Sequence, residues 1–283
     1  MNKKFLKNIE WGIFVCCVVL LIIGLIALFS STNDTEHDEL KKQIIWSIVS
    51  IPILIVVIFV DYNLIAKVSP IFYGIFLALL VAVLFTPVVN GAHSWFKISE
   101  TLAFQPSEFA KIFVIIFLAK TMVKIQKKGR KEINKIWKLA ILLLIVGVPT
   151  ALVLIQPDIG TATAFIIATV AMLFVAGIDK KYIIACILLI VISVPILYMF
   201  VLPEHAKARI DVYLNPDIDP RGKGYNIIQS KLAIGAGQLF GMGILKGNQT
   251  QLGYLYPKTT DFIFSVIGEE MGFVVSSAII VLY

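Results

Sequence analysis

Three acids stand at the edge of one apolar run: Asp261, where a polar stretch hands over to Phe262–Ile267, and the adjacent pair Glu269 and Glu270 just beyond it. Ionisable side chains in such a setting disfavour insertion into lipid, so they point by default to a function. A carboxylate at a membrane boundary can take the proton of an attacking hydroxyl as a general base. A structural reading competes with this one, because Thr259-Thr260-Asp261 also has the residue types that cap a helix. The two glutamates favour a functional cavity, which they would line.

Other candidates lie upstream. Glu108 and Lys111 sit three apart in QPSEFAKI and share a helix face, either as a self-neutralising pair or as the polar wall of a cavity. Asp158, in Gln156-Pro157-Asp158-Ile159-Gly160-Thr161, has the type and place of a helix N-cap, which leaves room for a second role in orienting a substrate. Trp95 reads as an interfacial anchor, and Asp61 as the marker of a helix boundary. Arg209, Arg221, Lys223, Lys231, Lys246 and Lys258 are solvated loop charges or, for some of them, holders of a phosphate or pyrophosphate.

The frame that must position these groups is a membrane frame. The 283 residues are 59% hydrophobic and 15% charged, with a mean hydropathy of +0.91. Soluble domains are about a quarter charged. Apolar runs of membrane-spanning length recur, with none of the short alternating strands of a membrane barrel. The expectation is an all-α polytopic protein with spans over 11–29, 44–60, 68–89, 106–123, 139–155, 159–178 and 182–202, and an eighth from Phe262. Residues 203–261 form one large loop. Within it, Tyr225, Ile228, Leu232 and Leu239 recur at helical spacing, as in an amphipathic helix at the interface. The glycines that follow, Gly235 to Gly247, leave the backbone free to turn or to pack tightly.

Lys3, Lys4, Lys7, Lys67, the seven basic residues from Lys124 to Lys138, and Lys180-Lys181 fall on one side of these spans. Only Lys41, Lys42 and Lys97 fall opposite in the short loops. The asymmetry places the N-terminus in the cytoplasm and Asp261 at the outer surface. The three cysteines and three histidines have no metal-ligand spacing, and nothing in the chain reads as a nucleotide- or nucleic-acid-binding motif.

The motifs together resemble the SEDS family (shape, elongation, division and sporulation proteins). The matching stretches are Gly91-Ala92 with Trp95, Gln105-Pro-Ser-Glu-Phe-Ala-Lys111 and Gln156-Pro-Asp-Ile-Gly-Thr161. They continue with Gly224-Tyr-Asn-Ile-Ile-Gln-Ser230, Ala233-Ile-Gly235, Gly247-Asn-Gln-Thr-Gln-Leu252, Thr260-Asp-Phe-Ile-Phe264 and Gly268-Glu-Glu270. The Gly-Asn-Gln-Thr-Gln stretch is more similar to elongation members than to division members. The resemblance implies a SEDS fold of ten spans, about eight of them in this chain, so that the family's C-terminal helices would lie beyond Tyr283. It implies a peptidoglycan glycosyltransferase acting on lipid II at the outer face of the bacterial cytoplasmic membrane. Its partner would be a class B penicillin-binding protein in the elongation machinery. By the same resemblance Asp261 matches the essential acid of the large outer loop, and Glu108, Lys111 and Asp158 match other sensitive positions. Pyrophosphate departure would be assisted by basic residues or a divalent cation such as Mg or Mn. Ser94 stands where many members have Arg, and Tyr256-Pro-Lys-Thr259 replaces the usual Pro-Glu-x-His lead-in. Two rival readings are a flippase for the lipid-linked precursor and a non-catalytic scaffold for the penicillin-binding protein.

Overall fold

The computed structural model describes residues 10–87, 93–97, 103–196, 198–199, 204–222 and 224–283, without the side chains of 186, 187, 189, 190, 193, 194, 196, 204–206 and 209. Gly91, Ala92, Lys223 and the N-terminal lysines lie outside the described residues. The helices are α1 (Trp11–Ser31), α2 (Asp38–Phe59), α3 (Tyr62–Ala82), α4 (Pro106–Gln126), α5 (Ile136–Ile155), α6 (Ile159–Ala176), α7 (Lys180–Ile196), α8 (Glu204–Leu214), α9 (Tyr225–Ala236), α10 (Asn248–Gln251) and α11 (Ile263–Leu282). α1 to α7 and α11 stand where the eight apolar runs were read. Six of them are long and apolar enough to cross a membrane: α1, α2, α3 with its extension to Phe85, α5, α6 and α11. α4 is as long but carries Glu108, Lys111, Lys120 and Lys124, and α7 is described over 17 residues.

The expected boundaries shift for a physical reason. α2 and α3 begin at Asp38 and Tyr62 rather than at Ile44 and Val68, because apolar residues mark the lipid-immersed part of a helix and not its whole hydrogen-bonded length. Asp38 and Glu39 sit in the first turn of α2, where the helix dipole favours acids. Asp61, expected only as a boundary, caps α3 by accepting from the Asn63 N–H at 2.8 Å. Among the described residues the exception to helical structure is a two-residue antiparallel pair, β1 (Phe96–Lys97) and β2 (Ala103–Phe104), with Phe96 opposite Phe104.

The chain divides into two compact units, Val56–Pro195 and Met1–Ile55 with Ile196–Tyr283. The first is held by side chains. α4 opens with Pro106 in its first turn and buries Ala110, Val114, Leu118 and Met122, a stripe at four-residue spacing. Its aromatic residues stack on α3: Phe113 lies 4.7 Å from Phe72 and 5.3 Å from Phe76, ring centre to ring centre. α5 contains Pro149, which has no N–H to give the Ile145 carbonyl. The Tyr73 hydroxyl donates to that carbonyl at 3.0 Å, so the freed acceptor finds a partner on the neighbouring helix. At one end of this unit the Gln126 amide donates to the Ala176 carbonyl at 2.7 Å, closing the C-terminus of α6. Nearby in the chain, Glu132 pairs with Lys135 and Lys138, and these two cations hold its carboxyl down at about 2.

The second unit adds direct backbone-to-backbone bonding between its helical segments. α11 is broken at Gly272, whose φ of 77° and ψ of −174° interrupt its ladder. The segment of turns after α9 repairs the break. The N–H groups of Met242 and Gly243 donate to the carbonyls of Glu269 and Glu270 at 2.9 and 3.0 Å. Those of Phe273 and Val274 donate to the carbonyls of Gln238 and Leu239 at 2.8 and 3.1 Å. Interrupted helices inside a membrane protein persist where such partners re-satisfy the backbone. Only glycine permits this approach: a Cβ on Gly237 would lie 1.8 Å from the Gly268 carbonyl oxygen, and one on Gly272 would lie 2.3 Å from the Gly241 nitrogen. The expected amphipathic helix forms as α9 over 225–236 and packs on α11, with the Ser230 and Ser265 hydroxyls 2.7 Å apart. Leu239 falls past its end, in the clasping segment. α1 packs on α11 through Ala27, Ile267 and Ile279.

Candidate active site

α11 starts at Ile263 with Phe262 at the cap position, and no side chain caps it. The cap reading of Asp261 is therefore corrected: the residue lies in the preceding turn, its side chain off the helix end. Asp261 is exposed, and among the described residues no hydrogen bond or ion pair engages its carboxylate. An unengaged carboxylate can accept a proton without first breaking a native contact.

The turn that carries it is well anchored. The N–H groups of Tyr254 and Leu255 donate to the Gln249 carbonyl at 3.1 and 3.3 Å, and Leu255 is buried. The Phe262 N–H reaches back to the Pro257 carbonyl at 3.2 Å. Lys258 donates through Nζ to the Thr250 carbonyl at 3.1 Å and to Asp34 Oδ2 at 3.0 Å. That bond from Lys258, with the attraction of its charge, holds the Asp34 carboxyl below its usual range.

Glu269 and Glu270 take a different place from the cavity wall expected of them. Both are buried, at 0% and 2% exposure. Glu269 accepts from the Gln249 N–H at 2.7 Å, the Thr250 N–H at 3.0 Å and the Thr250 hydroxyl at 2.7 Å. The first two are the orphan donors of the first turn of α10, so Glu269 caps that helix from outside. Glu270 Oε1 accepts from the Ser30 hydroxyl at 2.7 Å and the Gln251 amide at 3.0 Å, tying α1, α10 and α11 together. The two glutamates fasten α1 and α10 to α11; their bonded oxygens face protein donors. Glu269 has donors on both oxygens, as a buried carboxylate requires, whereas Glu270 Oε2 is buried with no hydrogen-bond partner among the described residues.

Lys231 lies exposed on α9, and the Arg209 side chain, on α8, lies outside the description. The remaining candidates belong to the other unit. Lys111 Nζ meets Glu108 Oε1 at 2.8 Å, with both side chains partly exposed, as the self-neutralising reading requires. Asp158 caps α6 through the Thr161 N–H at 3.0 Å, and its second oxygen accepts from the Thr161 hydroxyl at 2.8 Å and the Gln105 amide at 3.0 Å. Asp158 thus ties the start of α6 to the start of α4, three residues before Glu108. Trp95 is half-buried, and its carbonyl accepts from the Thr86 hydroxyl at 3.3 Å. Among the described residues no three acidic, histidine or cysteine side chains converge.

Sequence reasoning missed Asp34, Ser30, Thr250 and Gln251. Their partners lie up to 224 positions away, and no local spacing signals such pairs.

These features define a multi-pass helical membrane protein with an unengaged acid on a polar platform beside a membrane-length helix. Comparison with known proteins narrows the class. The sequence profile of the FtsW/RodA/SpoVE family, described as "Cell cycle protein", matches residues 10–283. Peptidoglycan glycosyltransferase MrdB of Escherichia coli (strain K12) is 32% identical over 287 residues, covering 100% of this chain and 75% of that protein. The probable peptidoglycan glycosyltransferase FtsW of Geobacter sp. (strain M18) is 34% identical, over 93% of this chain and 72% of its own length. A chain of a peptidoglycan synthase complex superimposes with a TM-score of 0.79 at 27% identity, covering 98% of this chain and 75% of its own. The crystal structure of Thermus thermophilus RodA gives 0.66 at 25% identity, over 98% and 72%. The chain belongs to this family, the SEDS peptidoglycan glycosyltransferases.

Proposed function

We propose that this protein polymerises lipid II at the outer face of the bacterial cytoplasmic membrane, with Asp261 as general base. The observation that carries the assignment is the state of Asp261: exposed, unengaged among the described residues, and excluded from the helix cap that would otherwise explain it. Residues 1–283 act as one integral membrane domain with its N-terminus in the cytoplasm and residues 203–261 outside. The lysine asymmetry supports this orientation. The Asp34–Lys258 bond sets the loop after α1 beside the turn that carries Asp261, which supports placing these two loops on the same side of the membrane.

Forming a β-linked glycan from an α-linked sugar pyrophosphate requires one inverting displacement. The acceptor hydroxyl oxygen bonds to the anomeric carbon as the bond to pyrophosphate breaks. Its proton passes to the Asp261 carboxylate, and the leaving pyrophosphate keeps the bonding electron pair. One base suffices, unlike the paired carboxylates of glycosidases. Exposed cations such as Lys231, with Arg209, are the chain's candidates to stabilise the departing charge. A divalent cation, when bound, would add charge stabilisation for the departing pyrophosphate.

The relatives named MrdB and RodA, and the likeness to a chain of a peptidoglycan synthase complex, support a role in elongation beside a class B penicillin-binding protein. The test is glycan polymerisation by the purified protein supplied with lipid II. Asp261→Asn, correctly inserted, is expected to lose at least about a hundredfold in rate, the scale of general-base catalysis. Polymerisation at the normal rate by that variant would sink the assignment.

A further inference from the structure

We infer that Lys258 is a positioning residue for this reaction, and that with Asp34 and the Thr250 carbonyl it forms a strap that fixes the turn bearing Asp261. The inference rests on the reading of Asp261 as the base. Between the buried Leu255 and the start of α11, local backbone bonds close the turn, from the Phe262 N–H to the Pro257 carbonyl at 3.2 Å and from the Ile263 N–H to the Thr260 carbonyl at 3.4 Å, and among the described residues no backbone bond ties Tyr256–Thr260 to a neighbouring element. Among the described residues Lys258 supplies the only side-chain hydrogen bonds of that stretch. Its side chain is 11% exposed, while that of Asp34 is 53% exposed. The side chain is therefore largely buried, and its ammonium is engaged by two acceptors. Those acceptors are firm. Thr250 is fully buried and pinned by Glu269 through its N–H and its hydroxyl. The loop that presents Asp34 is closed by the bond between the Thr32 hydroxyl and His37 Nδ1 at 2.8 Å and by the stacking of His37 on Phe29.

This arrangement argues against Lys258 as a direct holder of pyrophosphate, since reaching the substrate would forfeit two existing bonds. It argues for an indirect role three residues from the base. A carboxylate displaced by about 1 Å can lose on the order of a hundredfold in rate without losing substrate affinity.

The test uses the full chain in lipid nanodiscs with lipid II. Lys258→Met is expected to lower kcat about 10- to 100-fold while KM stays within about twofold. Lys258→Arg should recover most of the rate. Asp34→Asn should cost less than Lys258→Met, because the Thr250 bond survives, and the double variant should be no worse than Lys258→Met alone. Amide hydrogen exchange gives a readout independent of chemistry: Lys258→Met should quicken exchange over 256–262 and leave 263–271 unchanged. A rise in KM at constant kcat would make Lys258 a substrate contact and overturn the inference, as would unchanged exchange over 256–262. Asp261→Asn in the same assay separates the two failures. A fully active Asp261→Asn removes the base, while the exchange data still decide whether Lys258 holds the turn.

Discussion

Two units of one membrane protein solve the same problem, an interrupted helix in an apolar setting, by different means. In Val56–Pro195 the interruption is chemical: Pro149 withholds one N–H from α5, and one Tyr73 hydroxyl compensates. The helix stays continuous, and its neighbours pack through rings and branched side chains. In the unit of α1, α9 and α11 the interruption is conformational: the backbone of α11 breaks at Gly272, and four backbone hydrogen bonds from residues 238–243 bridge the gap. Side-chain repair tolerates variation at its edges, whereas backbone repair tolerates almost none at its glycines, because a Cβ on Gly237, Gly241 or Gly272 would fall on a main-chain atom of the other segment. The unit with the stricter construction is the one that carries Asp261.

The largest expected effect follows from that strictness. Gly272→Ala places a Cβ 2.3 Å from the Gly241 nitrogen and 2.6 Å from the Phe240 carbonyl carbon, at a φ that glycine alone adopts easily. Backbone strain and overpacking together should destabilise the protein by about 3 kcal/mol or more. In thermal unfolding in detergent, Gly272→Ala should fail to accumulate or should melt far below the parent. Gly74→Ala in α3 is the matched control, since nothing lies within 4 Å of the added methyl. It should melt within a few degrees of the parent, and equal sensitivity of the two glycines would erase the contrast between the units.

The two modes were not equally legible in the sequence. Apolar runs gave the number and order of long helices, because hydrocarbon thickness fixes their length and the apolar signal is strong. The side-chain unit was partly readable: Asp158 caps α6 as its residue type announced, and Glu108 pairs with Lys111 as their three-residue spacing allowed. The glycine-rich stretch suggested close packing, but the partners of Gly237, Gly241 and Gly247 lie on α11, and a period of 3.6 carries no such information. Asp261 looked like a cap because Thr-Thr-Asp before an apolar run is a capping sequence. The geometry instead starts α11 at Ile263, with the turn held from Pro257 and Lys258. Glu269 and Glu270 looked like cavity acids because burial and partner donors cannot be read from residue type.

A middle-sized effect tests the fastening role of Glu269. Glu269→Ala leaves the Gln249 and Thr250 N–H groups and the Thr250 hydroxyl buried without their acceptor. Bonds to a charged acceptor contribute about 1.5–3 kcal/mol each, with losses that overlap, so a destabilisation of about 2–4 kcal/mol is expected. Glu269→Gln keeps the shape and one acceptor oxygen and should fall between the parent and the alanine variant. If Glu269 faced substrate instead, Glu269→Gln would leave the melting temperature intact and depress only polymerisation.

The smallest effect isolates the repair in α5. Tyr73→Phe removes one hydroxyl and leaves the Ile145 carbonyl without its donor, which should destabilise the protein by about 1 kcal/mol. Pro149→Ala restores an N–H to the helix ladder, so the Ile145 carbonyl no longer depends on Tyr73. Combined with Pro149→Ala, the loss caused by Tyr73→Phe should shrink towards zero, a coupling readable in a double-mutant cycle of melting temperatures. Additive losses would mean that Tyr73 acts through packing against Phe117 rather than through its hydroxyl. The exchange of one donor for another is a repair that side chains permit, and the seam at Gly272 offers no equivalent substitution.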